Sequence, residues 1–133
     1  MTFDDLLVSG EELDRELLTK GLKPFIRIER ETLAIRPLSP WRSLTTKQKV
    51  VTFLLARKGM RAHGLVEDES CLPAELIRGT GIPAGSVHPA LKSLLEVRPQ
   101  IVERDARSRY RIPNWAVGEA VQMIAKGNED DDS

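Results

Sequence analysis

Two helical patterns with only Gly79-Thr80-Gly81 at their junction must meet at a steep corner. A tight turn of this kind needs positive backbone dihedrals, and Gly79 and Gly81 are the residues able to supply them. The first pattern, 73–78, opens on Pro73, which a helix tolerates at its first position. The second, 83–96, carries Val87, Leu91, Leu94 and Leu95 as an apolar stripe. Ile82 and Val87 stand where they would lock the second helix onto Leu76 and Ile77 of the first. Pro89 conflicts with this helix, because it removes an interior hydrogen bond and crowds the carbonyl of Gly85. The helix is therefore expected to start near Gly85 or Ser86, or to kink.

Upstream, Thr45-Thr46-Lys47-Gln48 has the Thr-x-x-Gln form of a capping box. Val50, Val51, Leu54 and Leu55 then predict an amphipathic helix over 45–62, with Lys47, Lys49, Arg57 and Lys58 largely outside its stripe. Gly59 predicts a frayed last turn, and Gly64 lies just past the end. Glu67-Asp68-Glu69-Ser70 reads as a solvated connection. Downstream, 101–104 and 109–112 read as two strands joined by the turn 105–108. Asn114 can cap a last helix over 115–126. Near the start, Ser9-x-x-Glu12 is a second capping box for a helix over 10–20, with Gly21 as its stop. The runs 24–29 and 33–37 form a hairpin, and Pro37 and Pro40 mark a boundary.

Helix, short helix, Gly turn, helix and two-stranded ribbon is the order of a winged helix-turn-helix. The expected class is α+β: a winged helix-turn-helix with an N-terminal helix and β-hairpin extension. Residues 1–40 form the extension, 41–126 the winged domain with its C-terminal helix, and 127–133 an acidic tail expected to be disordered. The segment from Thr80 to Leu91, with its Gly85-Ser86-Val87-His88-Pro89-Ala90-Leu91 core, resembles the recognition helix of the MarR and PadR regulators. It is closest to PadR, which usually places Tyr where this chain has His88. The resemblance covers about 72–112 and implies a transcriptional regulator that contacts duplex DNA through the helix 83–96 and the wing 103–111.

The formal net charge is zero, but the charge is unevenly distributed. Residues 1–16 hold six acids and 129–132 four more, whereas 42–126 hold 14 Lys and Arg against eight Asp and Glu. Phosphate responds to such local clusters, not to the average. On the recognition helix the candidates are Ser86 and His88, able to hydrogen-bond bases or phosphates, and Lys92, suited to phosphate or guanine. The helix lacks Arg, Asn and Gln. On the wing, Arg107, Arg109 and Arg111 alternate and would project from one strand face, opposite Tyr110 and Ile112. Arg104 adds a fourth cation near the tip, and guanidinium suits phosphate or a narrow minor groove. Thr46 and Lys47 stand at a helix start, where phosphate can dock.

Catalysis finds no support. His63, His88 and Cys71 are not spaced for metal or nucleophile chemistry, and no Gly-rich phosphate loop is present. No cofactor is implied. With one cysteine, no intramolecular disulfide can form, and the longest apolar run, 50–56, is too short for a bilayer. The acidic opening residues lack the basic start of a signal peptide, so a cytoplasmic protein without membrane contact is expected. The rival to DNA binding is a winged-helix protein-protein interaction module, favoured by the neutral total and the plain recognition helix. A homodimer is also expected, since operators for such folds are commonly two-fold symmetric, with 10–36 and the last helix as interface material.

Overall fold

The computed structural model describes residues 2–7 and 13–126. Their course is α1 (Arg15–Leu22), β1 (Ile26–Ile28), β2 (Ile35–Pro37), α2 (Thr46–Ala62), α3 (Pro73–Thr80), α4 (Ala84–Glu96), β3 (Glu103–Arg104), β4 (Tyr110–Arg111) and α5 (Val117–Ala125). Short 3-10 turns occupy Phe3–Leu6, Ser39–Ser43 and Asn114–Ala116. The described chain is a mixed α+β structure of five α-helices and two separate antiparallel ribbons, β1-β2 and β3-β4. The expected Ser9-x-x-Glu12 box and the acidic tail lie outside the described residues.

Helix α2 is the centre. Its capping box closes in both directions: the Gln48 N–H donates to Thr45 Oγ1 at 3.2 Å, and the Thr45 N–H donates to Gln48 Oε1 at 2.8 Å. Ten of its 17 residues are buried, so it is not the one-sided surface helix its charges suggest. It packs against α1, α3, α4 and α5 together. Lys58 does not lie outside the apolar stripe as its charge predicts, for it is only 2% exposed. It is i+4 from Leu54 and i+7 from Val51, and both are core residues, so helical geometry places it inside. Its ammonium lies 2.5 Å from Glu69 Oε2 and donates to Asn114 Oδ1. Burial pulls the Lys58 pKa below its ordinary value, against the opposing pull of Glu69. Two expectations fall with this arrangement. Glu69 is buried and not part of a solvated connection, and Asn114 supports Lys58 instead of capping α5.

The glycines also act differently from expectation. The positive dihedral at the α3–α4 corner belongs to Gly81 alone, at φ 76°. Its N–H donates to the Ile77 carbonyl, and Thr80 Oγ1 accepts from the Ile82 N–H. Gly79 stays helical, and a Cβ there would overlap the Phe53 ring. Gly21 does not end α1, which continues to Leu22, since Val121 of α5 occupies the space of the missing side chain. Gly59 does not fray α2, which runs on to Ala62.

Helix α4 begins at Ala84, one residue inside the expected 83–96, and takes Pro89 into its interior instead of starting at Gly85 or Ser86. Gly85 and Pro89 are both exposed, so the carbonyl deprived of its partner lies on the solvent side, where water can replace the missing donor. Val87, Ala90, Leu91 and Leu94 anchor the helix to the core. The ribbon β3-β4 is shorter than expected and pairs Glu103 with Arg111 and Arg104 with Tyr110. Ile101 and Val102 are buried beside it without joining the ladder. Cys71 extends it on the other side by exchanging two 2.8 Å backbone hydrogen bonds with Tyr110.

The N-terminal segment shares this core. Leu18, Phe25, Ile26 and Trp41 join the same buried cluster, and α1 lies across α5 and α2. Asp14 caps α1 by accepting from the Leu17 N–H at 3.0 Å. The hairpin turn, which lacks Gly, Asn and Asp, is closed by Leu33 at φ 64°.

The Phe53–Gly79 contact makes a sharp prediction. Gly79→Ala raises helix propensity but overpacks the junction, so it is expected to destabilise the protein by about 1–3 kcal/mol in urea unfolding. Adding Phe53→Leu to Gly79→Ala should recover part of that stability.

Candidate nucleic-acid interface

The outer face of α4 is set by helical spacing. With Val87, Ala90, Leu91 and Leu94 turned inward, Gly85, His88, Pro89, Lys92 and Glu96 face outward. His88 and Lys92 are both exposed and form an i, i+4 pair. Ser86 is exposed too, but it belongs to the flank of the helix, seven residues before Ser93 on the same side. That flank adjoins the start of α2, where Lys47 Nζ lies 3.5 Å from Ser93 Oγ. Thr46 and Lys47 are half-buried there, and the capping itself is done by Thr45. The three α4 candidates therefore form a pair and a flanking residue, with Lys47 next to the flank.

The β3-β4 ribbon, expected as a wing, departs more strongly from expectation. Strand alternation does not extend to Arg107, which lies in the turn between β3 and β4. Asp105 organises that turn: its Oδ1 accepts from the Arg107 N–H at 2.8 Å and the Arg109 N–H at 3.1 Å. Ser108 adopts φ 61°. The backbone N–H groups of Arg109 and Arg107 and the Arg107 side chain together lower the Asp105 pKa. Tyr110 is half-buried and Ile112 fully buried, as the pattern predicts.

Each wing cation is engaged by its own chain. Arg104 donates to Ser108 Oγ at 2.8 Å. Arg107 reaches both Asp68 and Asp105 at 3.3 Å, and Arg111 reaches Glu103 at 3.4 Å. Arg109 is the most committed, with its side chain only 18% exposed. It donates to Ser70 Oγ, the Ser70 carbonyl and Glu75 at 2.9, 2.7 and 2.9 Å. Its role is to fasten β4 to the 68–70 loop and to α3. Arg107, Arg109 and Arg111 thus do not form one bare cationic row. A polar cleft of about 770 Å³ beside them mixes Arg61, Arg104 and Arg111 with Glu67, Glu103 and Asp105.

Sequence reasoning missed Asp68, Ser70 and Glu75. Asp68-x-Ser70 was the available signal, being the spacing at which a carboxylate accepts from a residue two positions on. Asp68 Oδ1 accepts from the Ser70 hydroxyl at 2.6 Å and the Ser70 N–H at 2.9 Å. These bonds, with Arg109 and Arg107 nearby, bring its pKa from 3.8 to about 2. Next to it, burial pushes the Cys71 thiol up to about 12, so this sulfur is an inert core group. Among the described residues, no group of three or more His, Cys, Asp or Glu is placed to hold a metal ion. No helix among them is long and apolar enough to cross a membrane. Trp41 is buried with Lys49 Nζ 5.9 Å from its ring centroid, whereas Trp115 is 67% exposed.

No protein-family model matches the chain, and neither a curated protein nor a solved structure matches it significantly.

Two outcomes follow from the anchoring of the wing. Arg109→Ala breaks charge-assisted hydrogen bonds and is expected to cost about 1.5–3 kcal/mol in denaturant unfolding, whereas Arg104→Ala stays within about 0.5 kcal/mol of the parent. The second concerns acid. The folded pKa of Asp68 lies below its unfolded value, so its stabilisation is complete above pH 3.8 and is lost as pH falls toward about 2. Ser70→Ala removes a donor to the carboxylate and should shift acid unfolding, followed by circular dichroism, to higher pH.

Proposed function

We propose that the chain is a winged helix-turn-helix protein that binds duplex DNA, with α3 and α4 as the helix-turn-helix and β3-β4 as the wing. The observation that carries this reading is the state of α4. One face is locked into the core by Val87, Leu91 and Leu94, and the opposite face, with His88 and Lys92, is exposed. Further support comes from the Gly81 corner and from Cys71, which supplies a one-residue third strand beside the wing. The recognition-helix resemblance to PadR and MarR regulators belongs to the same proposal. In this reading the protein is a cytoplasmic transcriptional regulator without enzymatic activity or cofactor.

The side chains then divide by position. His88 and Lys92 face the base edges of a major groove, while Ser86, Thr46 and Lys47 meet the phosphates along the flank. Arg104 and Arg107, at the ribbon tip, are the wing residues able to exchange an internal partner for phosphate. Arg109 and Arg111 hold the ribbon in shape.

A second reading, the protein-protein interaction module, is favoured by a specific observation. Arg107, Arg109 and Arg111 are neutralised by Asp68, Glu75, Glu103 and Asp105, and Trp115 stands exposed. A cationic wing awaiting DNA would leave more of its charge unpaired.

Fluorescence anisotropy with a random-sequence duplex at several salt concentrations separates the two. On the DNA reading, Lys47→Ala and Arg104→Ala each make the logarithmic salt slope shallower, by about 0.9 for every phosphate that is no longer neutralised. His88→Ala with Lys92→Ala instead changes the ranking among sequences. A parent protein without salt-sensitive affinity for any duplex would reject DNA binding and leave the interaction module.

A further inference from the structure

A groove of about 650 Å³ runs between α1, the β1-β2 hairpin and the C-terminal end of α2. Leu22, Ile28, Leu33 and Leu65 supply apolar walls, and Lys23, Arg27 and Arg30 stand on its margin. Leu65 is 45% exposed, so this apolar surface is open to solvent. Among the described residues, none of the three cations forms an ion pair with a carboxylate, and the Arg27 guanidinium donates to the backbone carbonyls of Lys23 and Ile26. The groove therefore calls for a short segment that is apolar on one side and acidic on the other.

The same chain carries such a segment. Phe3, Leu6 and Leu7 are 73%, 61% and 64% exposed; Phe3 and Leu6, three residues apart, share one side of the 3-10 turn Phe3–Leu6, and Leu7 follows it on extended backbone. Asp4 and Asp5 lie between them in sequence, and Asp5 Oδ2 stabilises the turn by accepting from the Thr2 N–H at 2.9 Å. Three adjacent exposed large apolar residues are a surface that association would bury. None of residues 3–7 lines the groove of its own chain.

We propose that residues 3–7 of one copy seat in this groove of a second copy, and the reverse, giving a homodimer by reciprocal exchange. Phe3, Leu6 and Leu7 enter between α1 and the hairpin, while Asp4 and Asp5 meet Lys23, Arg27 and Arg30. The exchange satisfies the apolar and charged requirements of both surfaces at once, and a two-fold operation closes it without leaving an open end. It is independent of DNA, and its test requires none.

Sedimentation equilibrium of the full chain gives the dimer constant. The triple variant Phe3→Ala, Leu6→Ala, Leu7→Ala changes only exposed residues, and it should raise the dissociation constant by about thirty-fold or more, the effect of removing one hot-spot anchor at least. Arg27→Glu with Arg30→Glu should weaken the dimer from the groove side. Mixing that protein with an Asp4→Lys, Asp5→Lys variant should restore association between the two. A peptide of residues 2–7 should dissociate the parent dimer. A parent that is monomeric at high micromolar concentration overturns the proposal. So does a dimer indifferent to both sets of variants. A monomeric parent that ignores the peptide, beside a triple variant that binds it, places the segment in its own groove and rejects exchange between copies.

Discussion

The buried position of α2 is the constraint on which the other elements depend. A helix surrounded by α1, α3, α4 and α5 must present apolar groups on most of its circumference, yet this one brings an ammonium into the core at Lys58. Desolvating that charge is unfavourable, and a neutral apolar core is often as stable as a buried ion pair. The arrangement survives because two distant segments bring their polar groups to it. Glu69 comes from the connection after α2, and Asn114 from the turn before α5. Removing Glu69 would strand a buried charge, and removing Asn114 would leave the ammonium one acceptor short. The pair therefore fixes where those two segments lie more than it adds to stability.

That fixing is transmitted to the β3-β4 ribbon. Once Glu69 is held against Lys58, its neighbours Asp68, Ser70 and Cys71 have defined positions. Cys71 hydrogen-bonds the backbone of Tyr110, Ser70 and Asp68 receive Arg109, and Asp68 also receives Arg107. Glu75 of α3 closes the set through Arg109. A ribbon of two paired residues on each strand would be marginal by itself. Here it is held by backbone bonds to a third segment and by one guanidinium that reaches α3.

Much of the helical framework was legible because its signals are local. The Thr45–Gln48 box, the break at Gly81 and the stripe of Val87, Leu91 and Leu94 each depend on residues within one or two turns. Lys58 was legible by position, since its spacing from Val51 and Leu54 is that of a core residue, but its charge masked it. Gly79 and Gly21 looked like breaks because the partners that require a missing Cβ, Phe53 and Val121, are distant in sequence. The wing face was misjudged for two reasons. Asp105 and the positive φ at Ser108 interrupt the alternation that would have aligned the arginines. The acids that bind Arg109 lie 34 and more residues upstream, beyond the reach of any local pattern.

These commitments change what the charge distribution means. The excess of basic over acidic residues across 42–126 includes Lys58 and Arg109, whose charges are engaged inside the fold, and Arg57, which donates to the Asp68 carbonyl. On α4 itself the one exposed cation is Lys92, and Lys47 at its flank is half-buried. On the proposed reading, long-range attraction to phosphate is therefore modest for a DNA-binding domain, and shape must supply more of the discrimination. The fold provides that shape by holding a short helix rigidly at one corner. The Gly81 turn sets the angle, the Val87–Leu94 face sets the depth, and Pro89 keeps the exposed side of α4 from carrying an unbroken hydrogen-bond ladder. On that reading, selectivity comes from where His88 and Lys92 are held, not from how much positive charge surrounds them.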